Sequence, residues 1–139
     1  MTLSIRNQLP GTVTEVHPGE VMATVRIRLD GGQELTAAIT LEAVEQLGLA
    51  PQSRVHALVK STEIALASGE VEGLSIRNRL PGAIVQLVHG AAMASVKIAV
   101  PGGELTAVIT RDAAEDLGLF VGSDVIALIK STEVSLATA

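Results

Sequence analysis

The chain repeats itself, and that fact limits what it can fold into. "LSIRN" stands at residues 3–7 and again at 74–78. Sliding the chain by 71 residues also brings "LPG" (9–11) onto "LPG" (80–82) and Gly31-Gly32 onto Gly102-Gly103. Gln33 has no counterpart; beyond it the offset is 70, so that "ELTA" (34–37) meets "ELTA" (104–107) and "KSTE" (60–63) meets "KSTE" (130–133). About 36 of 64 aligned pairs are identical. Whatever one unit of roughly 65 residues forms, the other must form as well. The spacing predicts a first unit over residues 1–68, a polar, glycine-containing linker over 69–73 and a second unit over 74–139.

Each unit reads the same way. "EVMATVRIRL" (20–29) alternates Val21, Ala23, Val25, Ile27 and Leu29 with Met22, Thr24, Arg26 and Arg28, the pattern of a half-buried strand. Gly31-Gly32 turns the chain into a second strand, "ELTAAIT" (34–40). "LEAVEQLG" (41–48) puts Leu41, Val44 and Leu47 at helical spacing, with Thr40 as N-cap and Gly48 as stop. "RVHALVK" (54–60) alternates again and is expected to continue toward Leu66. Residues 3–17 are expected to form one long strand bent at Pro10-Gly11, because proline removes a ladder donor. In such a strand Ser4 and Arg6 share a face, as do Ser75 and Arg77. The predicted class is mainly β: two tandem OB-like five-stranded barrels, each with one short helix between strands 3 and 4.

Composition removes several functions. Among 139 residues, hydrophobic content of 47% with 18% charged side chains describes a folded chain, and the absence of cysteine excludes disulfides and thiol chemistry. Net charge is −5, with five basic and seven acidic residues in 1–69 and five and eight in 70–139. Such a balance disfavours a nucleic-acid backbone, and a lone aromatic, Phe120, leaves little for base stacking. No apolar run reaches membrane-spanning length and no leader-like segment opens the sequence, so the expectation is a cytoplasmic protein with no membrane partner. Units this small and free of large side chains bury only a thin core. They are therefore expected to pack on each other, and the chain to self-associate.

The histidines do not recur: His17 aligns with Val88, His89 with Pro18 and His56 with Ile126. No phosphate loop, Ser-His-Asp set or cluster of metal-ligating side chains appears, so no catalytic residue and no direct metal ligand is assigned. What recurs is a set of donors. Ser4, Arg6, Asn7, Thr40, Lys60, Ser61 and Thr62 have twins at Ser75, Arg77, Asn78, Thr110, Lys130, Ser131 and Thr132. Arginine and lysine only donate, hydroxyls donate on demand, and a helix start at Thr40 exposes backbone N–H groups, although Glu42 already complements it. A donor-rich, carboxylate-free set suits a fully deprotonated dianion such as sulfate, molybdate or tungstate, whereas hydrogen phosphate would want an acceptor for its proton. The same residues have structural uses: Arg6 could pair with Glu15 or Glu63, Thr40 could merely cap, and "KST" could merely end a strand. The residue types alone leave both readings open.

"S-I-R-N-Q-L-P-G", the glycine hairpin, "L-T-A-A-I-T" before the helix and "A-L-V-K-S-T-E" together resemble the Mop (TOBE-type) domain, over nearly the whole chain and twice in order. Two copies in tandem are similar to the di-Mop molbindins, small cytoplasmic molybdate- and tungstate-binding proteins. Ile5 and Ile76 stand where that family often has alanine, and "PQS" (51–53) replaces a glycine-containing turn. The resemblance implies storage or homeostasis of a molybdate or tungstate oxyanion, with no organic cofactor, at interfaces of a homotrimer. It implies an oxyanion site drawn from Ser4, Ile5, Arg6 and Asn7 of one unit facing Thr40, Lys60, Ser61 and Thr62 of a neighbour. The twin set is Ser75, Ile76, Arg77, Asn78, Thr110, Lys130, Ser131 and Thr132. The alternative role it implies is a molybdate-sensing effector module that acts through a protein partner.

Overall fold

The computed structural model describes residues 2–138, so the outermost residues of the two expected units, 1 and 139, lie outside it. The first unit forms β1 (Asn7–Pro18), β2 (Met22–Leu29), β3 (Glu34–Thr40), α1 (Leu41–Leu47), β4 (Arg54–Val59), a 3-10 turn at Ser61–Glu63 and β5 (Ile64–Ala67). The second repeats the order with β6 (Asn78–His89), β7 (Met93–Val100), β8 (Gly103–Thr110), α2 (Arg111–Asp116), β9 (Asp124–Ile129), a 3-10 turn at Ser131–Glu133 and β10 (Ser135–Thr138). The predicted class holds: mainly β, five strands per sheet, one short helix after the third strand.

Local chemistry accounts for these elements. In β2 every second residue is buried, so Ala23, Val25, Ile27 and Leu29 enter the core while Met22, Thr24, Arg26 and Arg28 face out. Gly32 adopts φ +98, open to glycine at little cost, and donates its N–H to the Leu29 carbonyl at 2.8 Å to close the β2–β3 hairpin. The Thr40 hydroxyl accepts from Ala43 N to cap α1, and Gly48, at φ 62, ends it. Only Val44 of α1 is buried; Leu47 remains exposed.

Four details depart from the sequence expectation. Residues 3–6 are not strand, since the β1 ladder starts at Asn7 opposite Val59, and the argument that Ser4 and Arg6 share a strand face lapses with it. The ladder runs through Pro10 and Gly11 without a shift; its irregularity is a bulge between Val13 and Glu15, repeated between Ile84 and Gln86. Val21 lies in the hairpin before β2 and is exposed. Residues 54–66 are not one strand, because the turn at Ser61–Glu63 breaks the chain between β4 and β5.

That break redirects the chain. One antiparallel sheet runs β10-β4-β1-β2-β3 and the other β5-β9-β6-β7-β8. The last strand of each repeat therefore completes the sheet of the other: Ile64 opposes Ile129 in β9, and Ser135 opposes Leu58 in β4. The turn at Ser131–Glu133 packs on β3, and the turn at Ser61–Glu63 packs on β8. A single apolar cluster follows, with Val25, Ile27, Leu35 and Ile64 in contact continuity with Leu80, Ile98, Leu105 and Ile129. Burying each such side chain stabilises by about 1.5–3 kcal/mol, and the merged core gives two small units what neither has alone. The β2–β3 and β7–β8 hairpins also meet. Gly31 and Gly102 approach so closely that a Cβ on Gly31 would lie 1.9 Å from the Pro101 carbonyl oxygen. Gln33, the residue without a repeat partner, donates from Nε2 to that oxygen at 2.9 Å.

Candidate functional site

The exchange places both "KSTE" segments where one barrel hands its chain to the other. At the first crossing an open groove is lined by Ser4, Ile5, Arg6, Lys60, Ser61, Thr62 and, from the other repeat, Val108. Six predicted site residues thus meet within one chain. No carboxylate lines this groove. The Ser61 Oγ is buried and has no hydrogen-bond partner among the described residues. Arg6 is not paired with Glu15 or Glu63: its Nε donates to the Ser4 carbonyl at 3.1 Å and its NH2 to the Leu3 carbonyl at 3.0 Å. Lys60 enters no ion pair among the described residues. Two cations and three hydroxyls around one opening can take a small anion with several acceptor oxygens.

The second crossing is less clean. Its groove gathers Ile76, Thr110 and Lys130 with Thr62, Met93 and Val108, but Glu63 and Glu133 line it too. Ser75, Arg77, Ser131 and Thr132 lie on the adjoining segments and outside this lining, and Ser131 Oγ lies 3.5 Å from the Asn78 amide nitrogen.

Asn7 and Asn78 serve the fold. Both are buried, and their amides are occupied. Asn7 donates to the carbonyls of Val59 (3.1 Å) and Thr106 (2.9 Å), and its Oδ1 accepts from Thr106 N (2.8 Å). Asn78 does the same to Thr36, with both bonds at 2.8 Å. Each carboxamide imitates one more strand residue at the free edge of β8 or β3 in the other repeat, which also blunts that edge. Thr40 and Thr110 cap α1 and α2 through Ala43 N and Ala113 N; Thr40 does not line the Ser4 groove. Sequence reasoning overlooks Arg79, which holds the chain leading into β6, because the repeat alignment sets it against Gln8 and recurrence is the criterion that selects candidates.

Other polar groupings are surface features. Arg54 forks onto Asp30 at 2.7 and 3.0 Å and also donates to Thr12. That guanidinium hydrogen bond, ahead of opposing burial, holds the Asp30 carboxyl below its ordinary value. Glu15 bridges His17 and Arg26 in the open. Among the described residues no three metal-ligating side chains cluster, and no helix is long and apolar enough to cross a membrane.

Known proteins share this architecture. The TOBE domain model matches residues 3–66 and 74–136. The chain is 44% identical over 136 residues to the molybdenum-pterin-binding protein MopB of Rhodobacter capsulatus, a match covering 96% of this chain and 50% of that protein. It is 40% identical over 138 residues to the molybdenum transport protein ModE of Azotobacter vinelandii, covering 99% of this chain and 51% of that one. The chain thus spans about half the length of the curated relatives it matches. A crystal structure of the cytoplasmic molybdate-binding protein ModG with molybdate bound superposes with a TM-score of 0.97, at 38% identity and over 100% of both chains. The chain belongs to the TOBE-domain family, as a tandem pair of the Mop type.

Proposed function

We propose that this chain binds molybdate or tungstate as the intact oxyanion and serves its storage or homeostasis in the cytoplasm, without catalysis, organic cofactor or nucleic-acid partner. The groove carries the reading: Ser4, Arg6, Lys60, Ser61 and Thr62 line it with no carboxylate among them, and the Ser61 hydroxyl has no partner among the described residues. A tetrahedral dianion presents oxygens to all of them and brings no proton that would need an acceptor. Similarity over its whole length to ModG, described with molybdate bound, supports the same ligand class here.

The groove is open on one side, and we take its closure to come from a second copy in a homotrimer. Met22 and Met93, exposed at twin positions beside the hairpins, supply apolar surface for such contacts. Native mass spectrometry with and without molybdate tests both parts. The expected result is a trimer that gains mass in steps of bound molybdate. A monomer without adducts at micromolar concentration contradicts the reading.

A further inference from the structure

The two units differ at the residue that directly follows "LSIRN": Gln8 in the first, Arg79 in the second. Residues 71–77 form neither helix nor strand, so no ladder fixes them. Arg79 does so instead. Its Nε donates to the Ile76 carbonyl at 3.0 Å, NH1 to Val71 at 2.9 Å and NH2 to Leu74 at 3.0 Å. One planar fork thereby gathers three carbonyls spread along the segment, a task suited to guanidinium and not to an amide or ammonium. In the first unit Gln8 makes one such bond, to the Ile5 carbonyl at 3.0 Å. The carbonyls of Leu3 and Ser4 are held there by Arg6 itself. Arg6 lines its groove with Nε and one NH2 hydrogen committed to its own backbone, whereas Arg77 makes no hydrogen bond among the described residues, is exposed and keeps all five donors.

We propose that Arg79 is a positioning residue that fixes residues 71–77 and leaves every donor of Arg77 free, so that anion sites served by Ser75 and Arg77, which lie outside the groove lined by Glu63 and Glu133, bind more tightly than those served by Ser4–Arg6. The proposal rests on the oxyanion reading above. The weaker class gives up hydrogen bonds that the tighter class keeps, which corresponds to a gap of about tenfold in affinity.

The test is calorimetric titration of the whole protein with molybdate, in wild type, Arg79→Gln, Arg77→Ala and the double variant, with amide hydrogen exchange of residues 71–77 alongside. Wild type should show two classes about tenfold apart. Arg79→Gln should merge them by weakening the tighter one, and exchange in 71–77 should quicken. Arg77→Ala should cost much less in the Arg79→Gln background than alone, which a purely structural role for Arg79 would not produce. Arg79→Lys should behave like Arg79→Gln. Gln8→Arg approaches from the other side, since the introduced guanidinium could take the Leu3 and Ile5 carbonyls and release Arg6; it should tighten the weaker class. A single class in wild type, an isotherm unmoved by Arg79→Gln, or equal weakening of both classes overturns the proposal while leaving the oxyanion reading intact. If Arg79→Gln fails to fold, an isotherm unmoved by Gln8→Arg overturns it. Wild type giving no molybdate heat at all overturns both.

Discussion

Asn7 grips the backbone of Thr106 as a neighbouring strand would, giving one hydrogen bond of 2.9 Å and taking one of 2.8 Å across 99 residues of sequence. With the reciprocal Asn78–Thr36 pair, this clasp sits where the chain passes between barrels, so the interlock depends on two carboxamides as well as on two exchanged strands. Replacing Asn7 by alanine removes the side-chain partner of the buried Val59 carbonyl and of the part-buried N–H and carbonyl of Thr106, at up to about 1–3 kcal/mol per group left unsatisfied. Asn7→Ala should lower the denaturant midpoint substantially. Asn7→Asp keeps the acceptor for Thr106 N–H but sets a carboxylate against two carbonyls, so it should not rescue. A midpoint unchanged in both variants would show that the clasp contributes nothing.

The hairpin contact makes a second prediction. Gly102→Ala must accommodate both φ +81 and a Cβ 2.7 Å from Gly31 Cα, and Gly31→Ala meets the Pro101 carbonyl. Both should destabilise by more than about 1 kcal/mol. Gly103→Ala, with nothing within 4 Å of its Cβ, should stay within about 0.5 kcal/mol of wild type. Thermal melts of the three variants side by side decide it.

A third concerns acid. The Asp30 carboxyl is held below its ordinary value of 3.8, first by the Arg54 hydrogen bond. A depressed carboxylate adds stability above its unfolded pKa and loses it as pH falls through the folded one. The difference in melting temperature between wild type and Asp30→Asn should therefore be present at pH 7 and shrink below about pH 3.8. Because the pair is solvent-exposed, the difference should be small and reduced by salt. A gap that widens in acid contradicts the assignment.

Lys60 lines the groove yet enters no ion pair among the described residues, so Lys60→Ala should leave the fold within about 0.5 kcal/mol of wild type. Its loss removes a charge-assisted hydrogen bond to the anion, on the order of 1.5–3 kcal/mol or ten- to a hundredfold in affinity. Sites served by Lys130 should be spared. Parallel melting and titration of Lys60→Ala separate the two roles; unfolding with unchanged binding per folded chain would make Lys60 structural.

Much of this is legible in the residues, and the failures share a cause. Alternation in 22–29, the glycine hairpin and the Thr40 cap are local signals, and the structure follows them. The strand exchange is not local. Because the repeats carry near-identical patterns, Ile64 finds an equivalent apolar partner in either barrel, and the turn at Ser61–Glu63, not the strand's own sequence, selects β9. The asparagines are ambiguous for a related reason. A recurring polar residue looks alike whether it faces a ligand or a distant backbone, and only the tertiary path brings Thr106 to Asn7. Arg79 escapes notice because repetition is the criterion and it does not repeat.

The central claim is that a groove of two cations and three hydroxyls, with no carboxylate in its lining, takes a fully deprotonated dianion. Calorimetric titration at neutral pH with molybdate and, separately, with inorganic phosphate tests it most directly. The account predicts molybdate binding at least about tenfold tighter than phosphate, because Arg6 and Lys60 cannot accept the proton of hydrogen phosphate, no carboxylate lines the groove to take it, and each hydroxyl that accepts it gives up a donation to the anion. Phosphate binding as tightly as molybdate, or more tightly, would contradict it.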